Sequence, residues 1–282
     1  MKKKSIRQIK SILRGLIAPE IIQLIKRKIN PLKKEDTSKL KIPRYKKTSV
    51  KLVGLQIQVP DIASFRFMHK EIFVQNIYKF ETSSPIPYII DGGANIGLAT
   101  IYFKLLYPTS KIVAFEPDPE VFQDLKFNVE AFGFQNVSLV QKGLWSSNKM
   151  LPFKAEGADA GLIGEIDSYN PSDEQQIEVV SLKDYLQQSV DFLKLDIEGS
   201  ETIVLKDIKE DLKNVKNIFV EYHSFVNQKQ TLNEVIEILT RANFRLHISS
   251  PGLTCSTPFI KLNTYNNMDM QLNIYGIKHA PN

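Results

Sequence analysis

From Tyr88 onward, short unbroken apolar runs alternate with longer stretches in which apolar residues recur every three or four positions. The short runs read as strands buried on both faces, and the longer stretches as helices with one apolar side. The runs predict strands at Tyr88–Asp91, Ile112–Glu116, Val137–Gln141, Phe192–Asp196, Ile218–Glu221, Phe244–His247 and Leu272–Ile277. The helical period predicts helices at Ile96–Tyr107, Pro119–Phe132, Leu182–Gln188, Glu201–Ile208 and Leu232–Ala242. Strands and helices in this alternation build an α/β, Rossmann-like, mostly parallel sheet with helices on both faces. Ahead of it, Val50, Leu52, Leu55 and Ile57 alternate as a strand or hairpin, and residues 69–80 read as a helix. Residues 143–180 keep no clear period and are expected to form a hairpin and loops over the ligand side.

A different pattern occupies the N-terminus. Ile6, Ile9, Leu13, Leu16 and Ile17 recur at helical spacing, as do Ile21, Ile22, Leu24 and Ile25, with Pro19 separating two helices. Residues 31–49 read as a linker, which divides the chain into a basic helical segment, 1–49, and a domain, 50–282. Residues 1–47 hold 16 Lys/Arg against 3 Asp/Glu, leaving 21 basic and 28 acidic residues for the remainder. The net charge of +6 is therefore a property of the N-terminus. Residues 1–30 are either an amphipathic helix lying on an anionic bilayer or a helix packed on the domain with its basic face in water. The mildly acidic body argues against a nucleic-acid partner, which would need a basic catalytic face.

At 43% hydrophobic and 24% charged, the 282 residues have an ordinary globular composition. The single cysteine, Cys255, excludes an intramolecular disulfide and cysteine-cluster metal sites. No apolar run approaches the roughly 18–20 residues of a membrane span, and Arg14 and Glu20 interrupt any signal-peptide core. The expected location is cytoplasmic, with peripheral contact at the inner membrane face.

Candidate chemistry gathers at the predicted strand ends, where ligands of open α/β sheets bind. The first strand runs into D-G-G-A-N-I-G, residues 91–97, and the next ends in Glu116 and Pro117. A glycine turn lets ligand approach backbone, and an acid after the second strand takes ribose hydroxyls. The acid Asp91 before the turn would repel a pyrophosphate but attract a cationic amino group. S-adenosylmethionine has that amino group, a ribose and no phosphate. Asp91, Gly93, Ala94, Asn95, Gly97, Glu116, Pro117 and Gly143 are thus the candidate cofactor residues. Trp145 either packs on the adenine or belongs to the core.

The second group is D-F-L-K-L-D-I-E-G-S-E, residues 191–201, with F-V-E-Y-H-S, residues 219–224. Asp196, Glu198 and His223 are candidate catalytic residues, Asp196 or His223 taking a proton from the acceptor. Glu201 opens a helix, where an acid complements the dipole. Asp196, Glu198, Glu221 and His223 also form a chemically sensible oxygen-plus-imidazole metal set, although direct proton transfer without a metal is the preferred reading.

Together these stretches resemble the FkbM family of S-adenosylmethionine-dependent methyltransferases over about residues 72–222. The resemblance implies a seven-stranded sheet and methyl transfer, generally to oxygen, on sugars or natural-product scaffolds. The expected acceptor is a saccharide or lipid-linked glycan. Ala160 stands in the G-A-D-A-G loop where relatives often carry glycine. Two other readings remain: an NAD(P)-dependent oxidoreductase, and a non-catalytic cofactor-binding module.

Overall fold

Runs such as Y-I-I and F-L-K-L can be buried on both faces only inside a sheet covered by helices, and that is where they lie. The computed structural model describes residues 43–155, 161–163, 175–226, 228–252, 255 and 257–278. The helices expected within residues 1–30 and most of the G-A-D-A-G loop fall outside the described residues.

A hairpin of β1 (Thr48–Leu52) and β2 (Leu55–Val59) comes first, turning through Val53 and Gly54 at positive φ. Helix α1 (Ile62–His69) follows and continues as a π-helical turn, Lys70–Gln75. The helix expected at 69–80 therefore begins earlier. Asp61 decides the start, because its carboxylate accepts from the Ala63 and Ser64 amides as an N-cap. Asn76, in the left-handed region, ends the turn.

The core alternates as expected: β3 (Tyr88–Gly92), α2 (Leu98–Leu106), β4 (Lys111–Phe115), α3 (Pro119–Ala131) and β5 (Val137–Val140). Asp118 caps α3 by accepting from the Glu120 and Val121 amides, with Pro119 in the first turn. Four strands then form a small separate sheet: β6 (Gly143–Leu144), β7 (Lys149–Ala155), β8 (Gly161–Ile163) and β9 (Gln175–Val180), ordered β6-β9-β7-β8. This sheet replaces the hairpin and loops expected over 143–180. The helix expected at Leu182–Gln188 is only a 3-10 turn, Lys183–Leu186.

The chain returns to the main sheet through β10 (Phe192–Leu195), α4 (Glu201–Ile208), β11 (Asn217–Phe225), α5 (Leu232–Arg241), β12 (Arg245–Ser249) and β13 (Met268–Ile277). The seven strands are ordered β12-β13-β11-β10-β3-β4-β5. Strands β11, β10, β3, β4 and β5 are mutually parallel, and β13 runs antiparallel between β11 and β12. The sheet buries both faces. Ile89 and Ile112 pack with α2 and α3 on one side, and Ile90 and Leu193 pack with α4 and α5 on the other.

Strands β11 and β13 run further than their apolar runs indicate. β11 continues to Phe225 because antiparallel β13 pairs with it as far as Met268. Glu221 and His223 therefore lie inside a strand, two residues apart on one face, rather than at its end.

Candidate active site

A cleft opens at the carboxyl ends of β3, β4 and β10, with one wall supplied by the small sheet through Gly143, Leu144, Phe153 and Ile163. It encloses about 1170 Å³ of space, its open mouth included. Its two ends are built differently.

At the β3–β4 end the backbone closes on itself. Gly93 has φ +74°, and a Cβ there would stand 1.7 Å from the Asp196 carbonyl oxygen. The glycine is thus required by the close approach of two strand ends. The Gly93 and Ala94 amides donate to the Phe115 carbonyl, and Gly97 N donates to the Ala94 carbonyl. Asn95 N donates to Glu116 Oε2 at 2.9 Å, and Ile96 N to Asn95 Oδ1 at 2.6 Å. Every amide from Gly93 to Gly97 is therefore engaged within the protein. None is left to cradle a pyrophosphate, which a dinucleotide site at a helix N-terminus requires. Glu116 Oε1 accepts from Asp118 N at 2.9 Å, so the carboxylate is fixed at both oxygens. Burial pushes its pKa up to about 7 against the lowering effect of these amides.

The β10–β11 end is built from side chains. Lys194, fully enclosed in the sheet, donates to the Gly93 carbonyl at 2.7 Å. Its ammonium lies 3.4 Å from Asp91 Oδ1 and 3.2 Å from Asp196 Oδ2. Burial alone would lower the Lys194 pKa, but Asp196 and Asp91 reverse that and raise it. Asp196 and Glu198 face the cleft, Glu198 on a left-handed turn at φ 52°. Glu201 Oε1 accepts from Ile197 N at 3.2 Å, Gly199 N at 3.0 Å and His223 Nδ1 at 3.0 Å. It therefore ties the turn after β10 to β11, a larger role than dipole complementation.

The His223 side chain is 1% exposed, with Nε2 standing 3.7 Å from Glu198 Oε2 and 4.0 Å from Glu221 Oε1. Burial would lower its pKa, but Glu198, Glu201 and Glu221 outweigh this and raise it well above the usual histidine value. His223 is thus wrapped by carboxylates on both ring nitrogens, with Glu201 at Nδ1 and Glu198 and Glu221 around Nε2. Glu221 is pushed well up by burial and by Asp196, and it accepts a hydrogen bond from Gln271 Nε2. Burial and Asp196 likewise bring Glu71, another lining residue, up to about 7.

Residues 91–246 match the Methyltransferase FkbM domain family. Methyltransferase 1 of Beauveria bassiana (strain ARSEF 2860) is 31% identical over 179 residues, covering 55% of this chain and 72% of that protein. The chain belongs to the FkbM methyltransferase family. Methyltransferase sdnD of Sordaria araneosa is also 31% identical, over 191 residues, 55% of this chain and 74% of that protein. The solved structure of Methyltransferase FkbM from Methylobacillus flagellatus KT aligns at TM-score 0.45 and 18% identity, covering 70% of this chain and 45% of that one. This FkbM methyltransferase has the seven-stranded, mostly parallel sheet of S-adenosylmethionine-dependent enzymes.

The residues present fit that cofactor. Glu116 offers a fixed, desolvated acceptor for ribose hydroxyls, and the occupied amides of the glycine turn suit a ligand without phosphate. Of the candidate cofactor residues, Gly93, Ala94, Asn95, Glu116, Pro117 and Gly143 line the cleft. Two expected contacts, and one that had a core alternative, lie elsewhere. Asp91 is fully buried against Thr100 and Lys194, so its charge is spent inside the sheet and not on a cofactor amino group. Gly97 packs on α3, where a Cβ would meet Leu125 at 2.7 Å. Trp145 packs beside Phe153, Ile177 and Val179, the core alternative.

Glu71, Lys194 and Gln271 belong to the site and were not predicted. Lys194 had a signal, since a lysine in the middle of a doubly buried strand must be paired. Glu71 had a weaker one, an acid at the edge of an apolar helical stretch. Gln271 had none, because it is placed opposite His223 only by the pairing of β11 with β13.

Proposed function

We propose that this FkbM methyltransferase O-methylates a hydroxyl of a saccharide or glycan precursor. The observation that carries the reading is the set of carboxylates, Asp196, Glu198, Glu221 and Glu71, that line the cleft besides Glu116. Carboxylates accept hydrogen bonds from hydroxyls, and a wall of them suits a polyhydroxylated acceptor. When bound, S-adenosylmethionine supplies an electrophilic methyl group. Glu116 holds the ribose, and the engaged glycine turn keeps that part of the cleft rigid. Asp196, pinned by Lys194, would orient the acceptor hydroxyl and take up its proton as that oxygen is methylated. Much of the acceleration is positional, since aligned reactants about 3–3.5 Å apart recover several kcal/mol of entropy.

The test is methyl transfer to a panel of glycans and lipid-linked sugars, compared between wild type and Asp196→Asn. The reading predicts a methyl ether on a sugar hydroxyl, made by wild type only. Methylation of nitrogen or carbon acceptors alone would overturn it.

The basic residues 1–47 support work beside an anionic membrane surface, where a lipid-linked acceptor is held. Among the described residues no helix is long and apolar enough to cross a membrane. Sedimentation with anionic but not neutral vesicles at low salt is the expected result, and no sedimentation would contradict this part of the reading.

A further inference from the structure

We propose that Asp196, Glu221 and His223 form a binding site for one divalent cation of the magnesium–manganese class, placed to hold the acceptor hydroxyl. The inference rests on the methyl-transfer reading and adds a partner to the same cleft. One ligand atom from each of the three residues lies within 4.8 Å of the other two. Ligands on opposite sides of such an ion, bonded at about 2.1 Å, stand about 4.2 Å apart, so small side-chain rotations close the site.

Two further observations point to a cation. The first is the orientation of His223. Its Nδ1 is clamped by Glu201 Oε1 at 3.0 Å, which directs Nε2 at the carboxylates while leaving it beyond hydrogen-bond reach of Glu198 Oε2 and Glu221 Oε1. A carboxylate on one imidazole nitrogen is the arrangement that fixes tautomer and direction in histidines that ligate metals. The side chain is buried and its free nitrogen is aimed into the cluster.

The second is charge. In the ion pairs among the described residues, Asp91 and Asp196 share Lys194, and Glu198, Glu201 and Glu221 share His223. Five carboxylates gathered around two cationic side chains form a cluster whose mutual repulsion a further cation would relieve.

Position separates this end of the cleft from the cofactor's ribose. β11 is three strands from β4, about 14 Å at about 4.8 Å per strand, so Glu221 and His223 stand well away from Glu116. Two carboxylates and one imidazole, with room in the cleft for water or a hydroxyl, suit Mn²⁺ or Mg²⁺ better than a thiol-seeking metal. A cation there stabilises a hydroxyl oxygen as it loses its proton, and Glu198, beside the site, then receives that proton in place of Asp196.

The experiment is a titration of the full chain with Mn²⁺, followed by electron paramagnetic resonance, with and without S-adenosylhomocysteine. One Mn²⁺ per chain is expected, displaced by excess Mg²⁺. Glu221→Gln and His223→Gln each weaken it at least tenfold, and Glu201→Gln, acting through His223, by about 10–100-fold. Asp196→Asn, at the most exposed of the three ligands, carries the test if the buried variants do not fold. S-adenosylhomocysteine binding by calorimetry is the fold control and separates the two readings. If wild type binds S-adenosylhomocysteine but no Mn²⁺, or if its Mn²⁺ affinity is unmoved by all four variants, the metal site is wrong and the methyltransferase reading stands. If no Mn²⁺ binds and S-adenosylmethionine binds far more tightly than its neutral product, the carboxylates answer the sulfonium and the proposal falls. Loss of both ligands in folded wild type would remove both readings.

Discussion

The two ends of the cleft hold their carboxylates by opposite means. At the β4 end, both oxygens of Glu116 accept backbone amides from residues within 21 positions of it in the sequence. At the β10–β11 end, Asp196, Glu221 and His223 are placed by strand pairing and held by other side chains, Lys194, Gln271 and Glu201. Backbone bonds give rigidity and tolerate little change in shape. Side-chain networks leave charge to be shared, moved or answered by a ligand. A cofactor common to many reactions suits the first design, and an acceptor particular to one enzyme suits the second.

The largest effect expected from breaking this contrast is at Asp196. Asp196→Asn should lower turnover about 10²–10⁴-fold while S-adenosylhomocysteine affinity stays near that of wild type. Equal losses in both would mean that the two ends are one unit.

Gly93→Ala comes next. Its Cβ would meet backbone at 1.7 Å in a left-handed conformation, so the loss should be about 3 kcal/mol or more. A melting curve reads it directly, and an unchanged midpoint would show that the two strand ends are not packed as described.

A smaller, graded effect is expected from pH. Glu116, facing Asp118 and Lys194, titrates at about 7. Its ionised form is the ribose acceptor, so affinity for S-adenosylhomocysteine is complete above that pH and falls below it. The fall approaches about tenfold per pH unit. Calorimetry between pH 5.5 and 8 checks this, and Glu116→Gln should flatten the profile.

The smallest effect is at Trp145, which lies off the cleft. Trp145→Phe should cost less than about 1.5 kcal/mol and leave cofactor affinity within about twofold. A larger loss of affinity would restore the adenine contact.

The same contrast explains what the sequence discloses. The strands of the main sheet and the helices α2, α3, α4 and α5 are legible because each carries its own period or cap, as Asp118 and Pro119 do for α3. The glycine turn and Glu116 are legible because their partners lie in a single βαβ unit. The small sheet is not, since β6 joins β9 across more than thirty residues and its short strands lack a period. Asp91 was misassigned for a related reason. Its charge looked available for a ligand until β10, a hundred residues later, placed Lys194 beside it. The surroundings of His223 are hidden in the same way, because nothing within F-V-E-Y-H-S shows that Glu201 and Glu198 flank the ring.

The most direct test of the account is a calorimetric titration of the chain with S-adenosylhomocysteine, run beside Glu116→Ala and with NADH as the competing ligand. The account predicts one S-adenosylhomocysteine per chain, binding lost in Glu116→Ala, and no heat from NADH. Binding of NADH with none of S-adenosylhomocysteine would contradict it.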